Sequence, residues 1–321
     1  MWDVACFGEL FIDLVPQAKV NGQWLYSPSP GGAPGNVAVG VSRLGHKSLM
    51  VSRVGDEAFG KLLLDALKYN SVDVSGVTLS KSEKTGLSVV TLSDDGDRAF
   101  MFYHDRPADL HINADDITPR MIEESRILHI GLLPLAAPPS AAAQRKAMDM
   151  ADAAAIPISC DVNFRHGLWA DHSKMFEAGR FIISRSAIVK VSEEELLELT
   201  HKASMDQMVQ RLWHENLKLF SVTRGAQGSV LYTPERKYVC DGFKVDAVDT
   251  TGAGDAYTAS ILSGVLNGGR ASEPAKLVLN ACAAGARAAM KKGAMESLPA
   301  LADIAELIAQ QPIAVSAHPR S

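Results

Sequence analysis

Residues 249–257 read D-T-T-G-A-G-D-A-Y and run into a helix-compatible stretch carrying Tyr257, Ala259, Ile261, Leu262, Val265 and Leu266. Gly252, Ala253 and Gly254 have no bulky side chain, so the backbone there can approach a ligand closely. The N–H groups at a helix start, backed by the helix dipole, suit a phosphate. Asp255 then stands beside the anion. A carboxylate is costly there as a mere cap, but well placed to accept a proton from a hydroxyl attacking phosphorus. The same segment also reads as a loop entering an N-capped helix, since aspartate is a favoured cap.

Outward from this segment, short apolar runs at Val4–Phe7, Met50–Val54, Ile127–Ile130, Ile158–Val162, Ala187–Val191 and Leu219–Thr223 read as buried strands. Between them lie helical patterns. Val37, Gly40, Val41 and Leu44 share one helix face, as do Phe59, Leu62, Leu63 and Ala66. Strands alternating with helices predict an α/β fold with a mostly parallel sheet flanked by helices on both faces. One region departs from the alternation. Leu87–Leu92 and Ala99–Tyr103 are strand-like and joined through Asp95-Gly96, a hairpin turn signal, and a further strand-like patch, Trp24–Ser27, precedes Gly31-Gly32. These predict a small β-sheet projecting over a ligand cleft, with strands in about residues 14–30 and 86–110. Residues 1–312 are expected to form one domain and 313–321 a loose tail.

Composition narrows the function classes. The 321 residues carry a formal net charge of -5, no basic footprint for nucleic acid or anionic lipid. Cys6, Cys160, Cys240 and Cys282 are scattered without C-x-x-C spacing, which suits four separate thiols in a reducing compartment. Asp3, Glu9 and Asp13 interrupt the apolar N-terminal stretch and argue against a signal peptide. The most apolar window, residues 127–143, is broken by His129, Pro134, Pro138 and Pro139, so no membrane span is expected. A soluble cytoplasmic protein follows, with small molecules rather than nucleic acid or membrane as partners.

A second informative segment is Gly31-Gly32-Ala33-Pro34-Gly35-Asn36, which leads into the helix of Val37 to Leu44. Its glycines admit a polar ligand and Asn36 offers an amide that both donates and accepts; capping and turning explain the same residues equally well. Asp13, read as the end of the first strand in G-E-L-F-I-D-L, places a carboxylate at the sheet edge where α/β folds bind ligands. A carboxylate accepts two neighbouring hydroxyls at once, which suits a sugar. His129, Met148, Met150 and the leucines near Leu62 read as core, and Glu193-Glu194-Glu195 as a solvated helix start.

Residues 31–45 (GGAPGNVAVGVSRLG) and 248–256 (VDTTGAGDA) resemble the two signature segments of the PfkB-type, or ribokinase-like, carbohydrate kinases. V-G-D-E-A-F-G at 54–60, D-V-N-F-R at 161–165, K-V-S-E-E-E-L at 190–196 and V-T-R-G-A-Q-G at 222–228 are similar to that family too, so the resemblance covers essentially the whole chain. Within the family, F-Y-x-x-x-x-A-D at 102–109 and D-V-N-x-R-x-x-L-W at 161–169 look most like fructokinases. The resemblance implies an ATP-dependent sugar kinase, with D-fructose to fructose 6-phosphate the leading reaction. An aminoimidazole riboside, ribose or 2-keto-3-deoxygluconate are the alternative substrates, and a non-catalytic sugar or nucleotide sensor is the alternative class.

Carried over by position, the resemblance makes Asp255 the catalytic base and Gly252, Ala253 and Gly254 the anion hole. Arg165 becomes a charge in the cleft. Asp13, Gly31, Gly32, Asn36 and Asn163 go to the sugar, with Phe102 as its cover. Lys190, Ser192, Thr223, Gly225, Gly228 and Asn280 go to the nucleotide, and Glu195 to water around Mg²⁺. Many members carry N-x-x-E at this last place; here Ser192 precedes Glu195. A K⁺ site is implied at Asp249 and Thr251 together with Ala288, Lys291, Gly293 and Ser297. A homodimer packed through the small sheets is also implied, because Ala99, Met101 and Tyr103 alternate with Phe100 and Phe102 and both faces of that strand are apolar.

Overall fold

A computed structural model describes residues 1–92, 98–103, 106–200, 204–268 and 273–320. Seven strands run parallel through its centre: β1 (Trp2–Phe7), β4 (Ser48–Gly55), β5 (Asp73–Ser80), β8 (Ser125–Ile130), β9 (Ile158–Asp161), β10 (Ile188–Ser192) and β11 (Leu219–Thr223). Three antiparallel strands, β12 (Ser229–Tyr232), β13 (Arg236–Cys240) and β14 (Ser316–Pro319), extend one side, giving the order β14-β13-β12-β11-β10-β9-β8-β1-β4-β5. The segment expected to be a loose tail therefore supplies an edge strand, with Val239 paired to Ser316 and Arg236 to Pro319. Its unpaired backbone groups find partners on β13, although its side chains are exposed.

The helices are α1 (Ala33–Arg43), α2 (Ala58–Tyr69), α3 (Pro119–Glu123), α4 (Pro138–Ala153), α5 (His172–Ser184), α6 (Glu193–Thr200), α7 (Met205–Leu212), α8 (Ala253–Gly268), α9 (Pro274–Ala289) and α10 (Leu301–Gln310). They cover both faces of the sheet. Along β1, Val4 and Cys6 point into the core made with α1, α8 and α9, while Ala5 and Phe7 point into the core made with α4 and α5. A strand buried on both sides must be apolar at every position, which is why these strands read as continuous runs. Among the described residues no helix is long and apolar enough to cross a membrane.

The small sheet contains β2 (Phe11–Val20), β3 (Gln23–Gly31), β6 (Gly86–Leu92) and β7 (Arg98–Tyr103) in the order β3-β2-β6-β7. Its strands begin at Phe11 and end at Tyr103, a wider start and an earlier end than the sequence suggested. The Asp95-Gly96 turn lies outside the described residues. β2 also corrects the reading of Asp13: β1 ends at Phe7, the chain turns at Gly8, and Asp13 belongs to the small sheet.

Candidate active site

The site forms where the starts of two buried helices meet. Before α1, Gly32 adopts φ 107°, and a Cβ there would lie 2.3 Å from the Glu9 carbonyl oxygen, so only glycine lets the chain turn over the end of β1. Gly252 does the same before α8, at φ 81°. The helices pack with Gly40 against Ala259, where a Cβ on Gly40 would come within 2.6 Å of the alanine methyl. This close approach joins Asn36 and Asp255, both buried: Asn36 Nδ2 donates to Asp255 Oδ2 at 2.7 Å. Burial pushes the Asp255 carboxyl above the ordinary aspartate value, while Asn36, Lys190 and Arg165 draw it back. Asp255 is thus a stronger base, once ionised, than an ordinary aspartate.

Because α8 begins at Ala253, the N–H groups of its first turn lack intrahelical acceptors. That of Ala253 is committed within the turn, to Thr250 O at 3.1 Å. Gly254 faces Lys190; a Cβ at 254 would lie 3.1 Å from Lys190 Nζ. This ammonium pairs with the buried Asp161, Nζ to Oδ1 3.1 Å. Burial works against the ammonium, but Asp161 and Glu195 outweigh it and hold its pKa above the usual lysine value. A fixed positive charge therefore stands against the glycine turn at the head of α8.

On the other side, strand register aligns a polar row across the small sheet. Asp13 on β2 lies opposite Ser29 on β3 and Ser88 on β6, and Ser88 lies opposite Phe102 on β7. Ser88 Oγ donates to Asp13 Oδ1, and a Cβ at Gly31 would lie 2.9 Å from Asp13 Oδ2, so residue 31 must be small for the carboxylate to keep its place. Burial pushes the Asp13 carboxyl up to about 6 against the pull of Ser88 and Arg165. The Phe102 ring meets Phe11 edge to face, centroids 6.2 Å apart. Arg165 is exposed, and its charge acts on Glu9, Asp13 and Asp255. Asn163, two residues earlier, holds φ 43°.

The remaining positions continue along the same sheet edge. Glu195 Oε1 accepts the Phe164 N–H at 2.8 Å and Oε2 accepts the Ser192 N–H at 2.7 Å, while Ser192 Oγ accepts the Glu195 N–H at 3.2 Å. Ser192 thus fixes the helix start that carries Glu195, and each carboxylate oxygen keeps a second lone pair for a metal-bound water. Thr223 ends β11 beside Ser192, and its hydroxyl donates to Val191 O at 3.4 Å. Gly225 is exposed with open space around its would-be Cβ. Gly228 differs: a Cβ there would strike Cys240 O at 2.1 Å, so packing alone requires this glycine. Asn280 is half-buried on α9.

The positions expected around a monovalent cation also lie together. Asp249 Oδ1 accepts the Thr251 N–H and Oδ2 the Gly293 N–H, each at 3.0 Å, tying the loop before α8 to the loop after α9. Ala288 O accepts the Lys291 N–H at 3.1 Å, and Ser297 Oγ donates to Ala294 O at 2.9 Å. A Cβ on Gly252 would lie 3.1 Å from that same Ala294 oxygen. The cluster therefore borders the turn before Asp255. It consists mainly of backbone carbonyls and one carboxylate, hard oxygen donors that fit an alkali cation.

Three further acids, Glu9, Asp109 and Asp161, are buried near the site without a role readable from the sequence. Burial pushes Glu9 up to about 7 and Asp109 well above the usual carboxylate range, with the Glu9 charge adding to the shift of Asp109. The available signal was a charge inside an apolar run, G-E-L-F-I-D for Glu9 and A-D-L-H-I for Asp109. His129 is core, as expected; Nδ1 meets Ser159 Oγ at 3.2 Å, Nε2 has no partner among the described residues, and burial pushes its pKa down to about 3.

With this geometry in place, comparison with known proteins is specific. The family model for pfkB family carbohydrate kinases matches residues 1–301. The chain is 37% identical to a probable fructokinase-4 of Arabidopsis thaliana over 318 residues, covering 95% of this chain and 96% of that one. It is 38% identical to fructokinase-1 of Zea mays over 317 residues, covering 95% and 97%. Among solved structures, a fructokinase of Xylella fastidiosa with bound ATP superposes with a TM-score of 0.89 at 29% identity, covering 97% of this chain and 99% of that one. An engineered double mutant of the Vibrio cholerae O395 fructokinase, bound to fructose, ADP and potassium ion, gives 0.87 at 30% identity, covering 96% and 98%. The chain belongs to the pfkB family of carbohydrate kinases.

Proposed function

We propose that the protein is an ATP-dependent fructokinase, converting D-fructose and ATP to D-fructose 6-phosphate and ADP. The observation that carries this reading is a buried Asp255, hydrogen-bonded to Asn36 at the head of α8, in a chain that matches fructokinases along nearly its whole length. Asp255 accepts the proton of the attacking sugar hydroxyl. Asp13 holds neighbouring hydroxyls, with Asn36, Asn163 and the Gly31-Gly32 backbone fixing the ring beside it, and Phe102 excludes water from above. Lys190, Arg165 and the turn at Gly252 and Gly254 offset charge on the transferring phosphoryl group, so positioning and electrostatics supply most of the catalysis.

Thr223, Gly225 and Asn280 take the nucleotide at the edge beyond β10. Mg²⁺, held through water by Glu195, neutralises charge on the ATP phosphates. K⁺ at the carbonyl cluster around Asp249 and Gly293 orders the turn at Gly252 without touching substrate; replacing K⁺ with a bulky organic cation is expected to lower the rate, and an unchanged rate would remove this role. Four free cysteines and dependence on ATP suit the cytoplasm.

The far half of the small sheet exposes Val20, Trp24, Leu25 and Tyr26, and its edge strand β7 exposes Met101 and Tyr103. An apolar surface of this kind suits a second copy of the chain, giving a two-fold dimer through the small sheets. The reaction is tested by incubating the protein with fructose and ATP and identifying the product by NMR. Fructose 6-phosphate formed in step with ADP supports the assignment; no phosphorylated fructose would refute it.

A further inference from the structure

Behind the nucleotide edge lies a buried sulfur pair that the reaction does not use. Cys240 ends β13 and lies directly opposite Ser229 on β12, where antiparallel partners hold their Cβ atoms about 5 Å apart. Ser229 Oγ is 3.1 Å from the sulfur of Cys282 on α9, and also donates to Tyr257 OH at 3.1 Å. The Cys240 thiol donates to Asp241 O at 3.5 Å, and both cysteines border Ser229, Cys240 across the strand pair and Cys282 from α9. Both are buried, Cys240 completely and Cys282 with 8% of its surface exposed. The two cysteines are 42 positions apart in sequence, so only the packing of α9 on β12 and β13 makes them neighbours.

We propose that Cys240 and Cys282 are a redox-sensitive dithiol that hydrogen peroxide closes to a disulfide, and that closure weakens ATP binding. Their chemistry is asymmetric. The neighbouring Cys240 thiol draws the Cys282 thiol pKa down against burial, and the Arg224 charge acts in the same sense, whereas Cys282 and burial hold Cys240 protonated. Cys282 is therefore the nucleophile and the more exposed sulfur. Its thiolate attacks one peroxide oxygen, the O–O bond breaks, and hydroxide leaves with a proton as water, producing a sulfenic acid. The Cys240 sulfur then attacks the sulfenic sulfur. The S–O bond breaks, the thiol proton joins the departing oxygen as a second water, and two thiols have been oxidised for one peroxide reduced.

The bond must draw the sulfurs to about 2.05 Å, so β13 and α9 move toward each other. That movement reaches the nucleotide edge at two places. The Cys240 carbonyl already sits where a Cβ of Gly228 would be, and a Cβ on Gly242 would strike Ala226 O at 2.0 Å, so the 225–228 turn has no slack against the end of β13. Asn280 lies two residues before Cys282 on α9. The coupling to ATP rests on the nucleotide assignment made above; the disulfide itself does not.

The test treats the reduced, full-length protein with hydrogen peroxide, blocks free thiols with N-ethylmaleimide, and maps the digest by mass spectrometry. A Cys240–Cys282 peptide, lighter than its two parts by two hydrogens, is expected from the wild type, and a dimedone-trapped sulfenic acid at Cys282 from Cys240→Ser. Titration calorimetry is expected to show ATP binding weakened by roughly tenfold on oxidation, about 1.4 kcal/mol, restored by dithiothreitol, and insensitive to peroxide in Cys282→Ser. Absence of the linked peptide from oxidised wild type overturns the proposal. A linked peptide with unchanged ATP affinity overturns the coupling. If neither form binds ATP while the linked peptide is present, the nucleotide assignment fails and the disulfide stands.

Discussion

The junction of α1 and α8 is enclosed on every side, whereas the small sheet is enclosed only along the half that touches it. Ala33 to Val41 are all buried, and so are Asp255 to Ser263. In β2 burial stops after Pro16, and in β3 Gln23 to Tyr26 are exposed before Pro28 leads back into cover at Ser29. The difference separates two tasks. At the junction the Asn36–Asp255 pair is held by glycine turns and helix contact, where an added methyl meets backbone or side chain at once. In the small sheet the row of Asp13, Ser29 and Ser88 stands on a thin support whose outer half leaves apolar side chains exposed.

If the junction carries the chemistry, removing its charge should be the most damaging change in the molecule. Asp255→Asn is expected to cut turnover by roughly a hundredfold or more, the scale of a lost general base, with sugar and ATP binding largely kept; near-normal turnover in the purified variant would break the assignment. Next comes the near half of the small sheet. Asp13→Asn keeps the shape but loses the carboxylate that accepts sugar hydroxyls, and the fructose KM is expected to rise by about tenfold or more, as for a lost charged hydrogen bond. A change confined to kcat would instead move Asp13 into the chemistry.

The two regions also share a pH signature. Asp13, pushed up to about 6 by burial, must be ionised to accept hydroxyls, and Asp255, raised in the same direction, must be ionised to accept a proton. Both requirements fail on the acid side. kcat/KM for the sugar is therefore expected to be level above about pH 7 and to fall below about pH 6, by about tenfold per unit for one essential carboxylate. A profile level down to pH 5 would show that neither carboxyl is raised or that neither is needed.

The edge strand β7 should matter least to chemistry. Phe102→Ala is expected to raise the fructose KM by about a few-fold, through lost apolar cover, and to leave kcat nearly unchanged. Met101→Asp puts a charge on the exposed face and is expected to shift the protein from dimer toward monomer in light scattering. Wild type that is monomeric at micromolar concentration with full activity would refute the packing of small sheets.

What the sequence disclosed divides along the same line. The parallel strands were readable because burial on both faces leaves continuous apolar runs, and α1 and α2 because one face of each is apolar. β5, D-V-S-G-V-T-L-S, mixes polar and apolar residues at the sheet edge, and β14 is exposed throughout and becomes a strand only by pairing with β13. Neither carries a pattern of its own. The glycine turns pointed to a candidate site, but the Asn36–Asp255 bond spans 219 positions and exists only through the packing of α1 on α8. Asp13 was singled out as a carboxylate and misplaced in the fold, since nothing in G-E-L-F-I-D-L marks Gly8 as the exit from the main sheet. Lys190 drew attention through the family resemblance, while its partner Asp161 needed the pairing of β9 with β10 to be seen.

The central claim is that this pair of helix starts, with the polar row of Asp13, serves a fructose hydroxyl. Its most direct test is ADP release measured across fructose, ribose, 2-keto-3-deoxygluconate and aminoimidazole riboside at saturating ATP with Mg²⁺ and K⁺ present. The highest kcat/KM is expected for fructose, by roughly tenfold or more over each of the others, the scale a site built to hydrogen-bond particular hydroxyls achieves. A higher value for any other sugar, or no sugar-dependent ADP release, would contradict it.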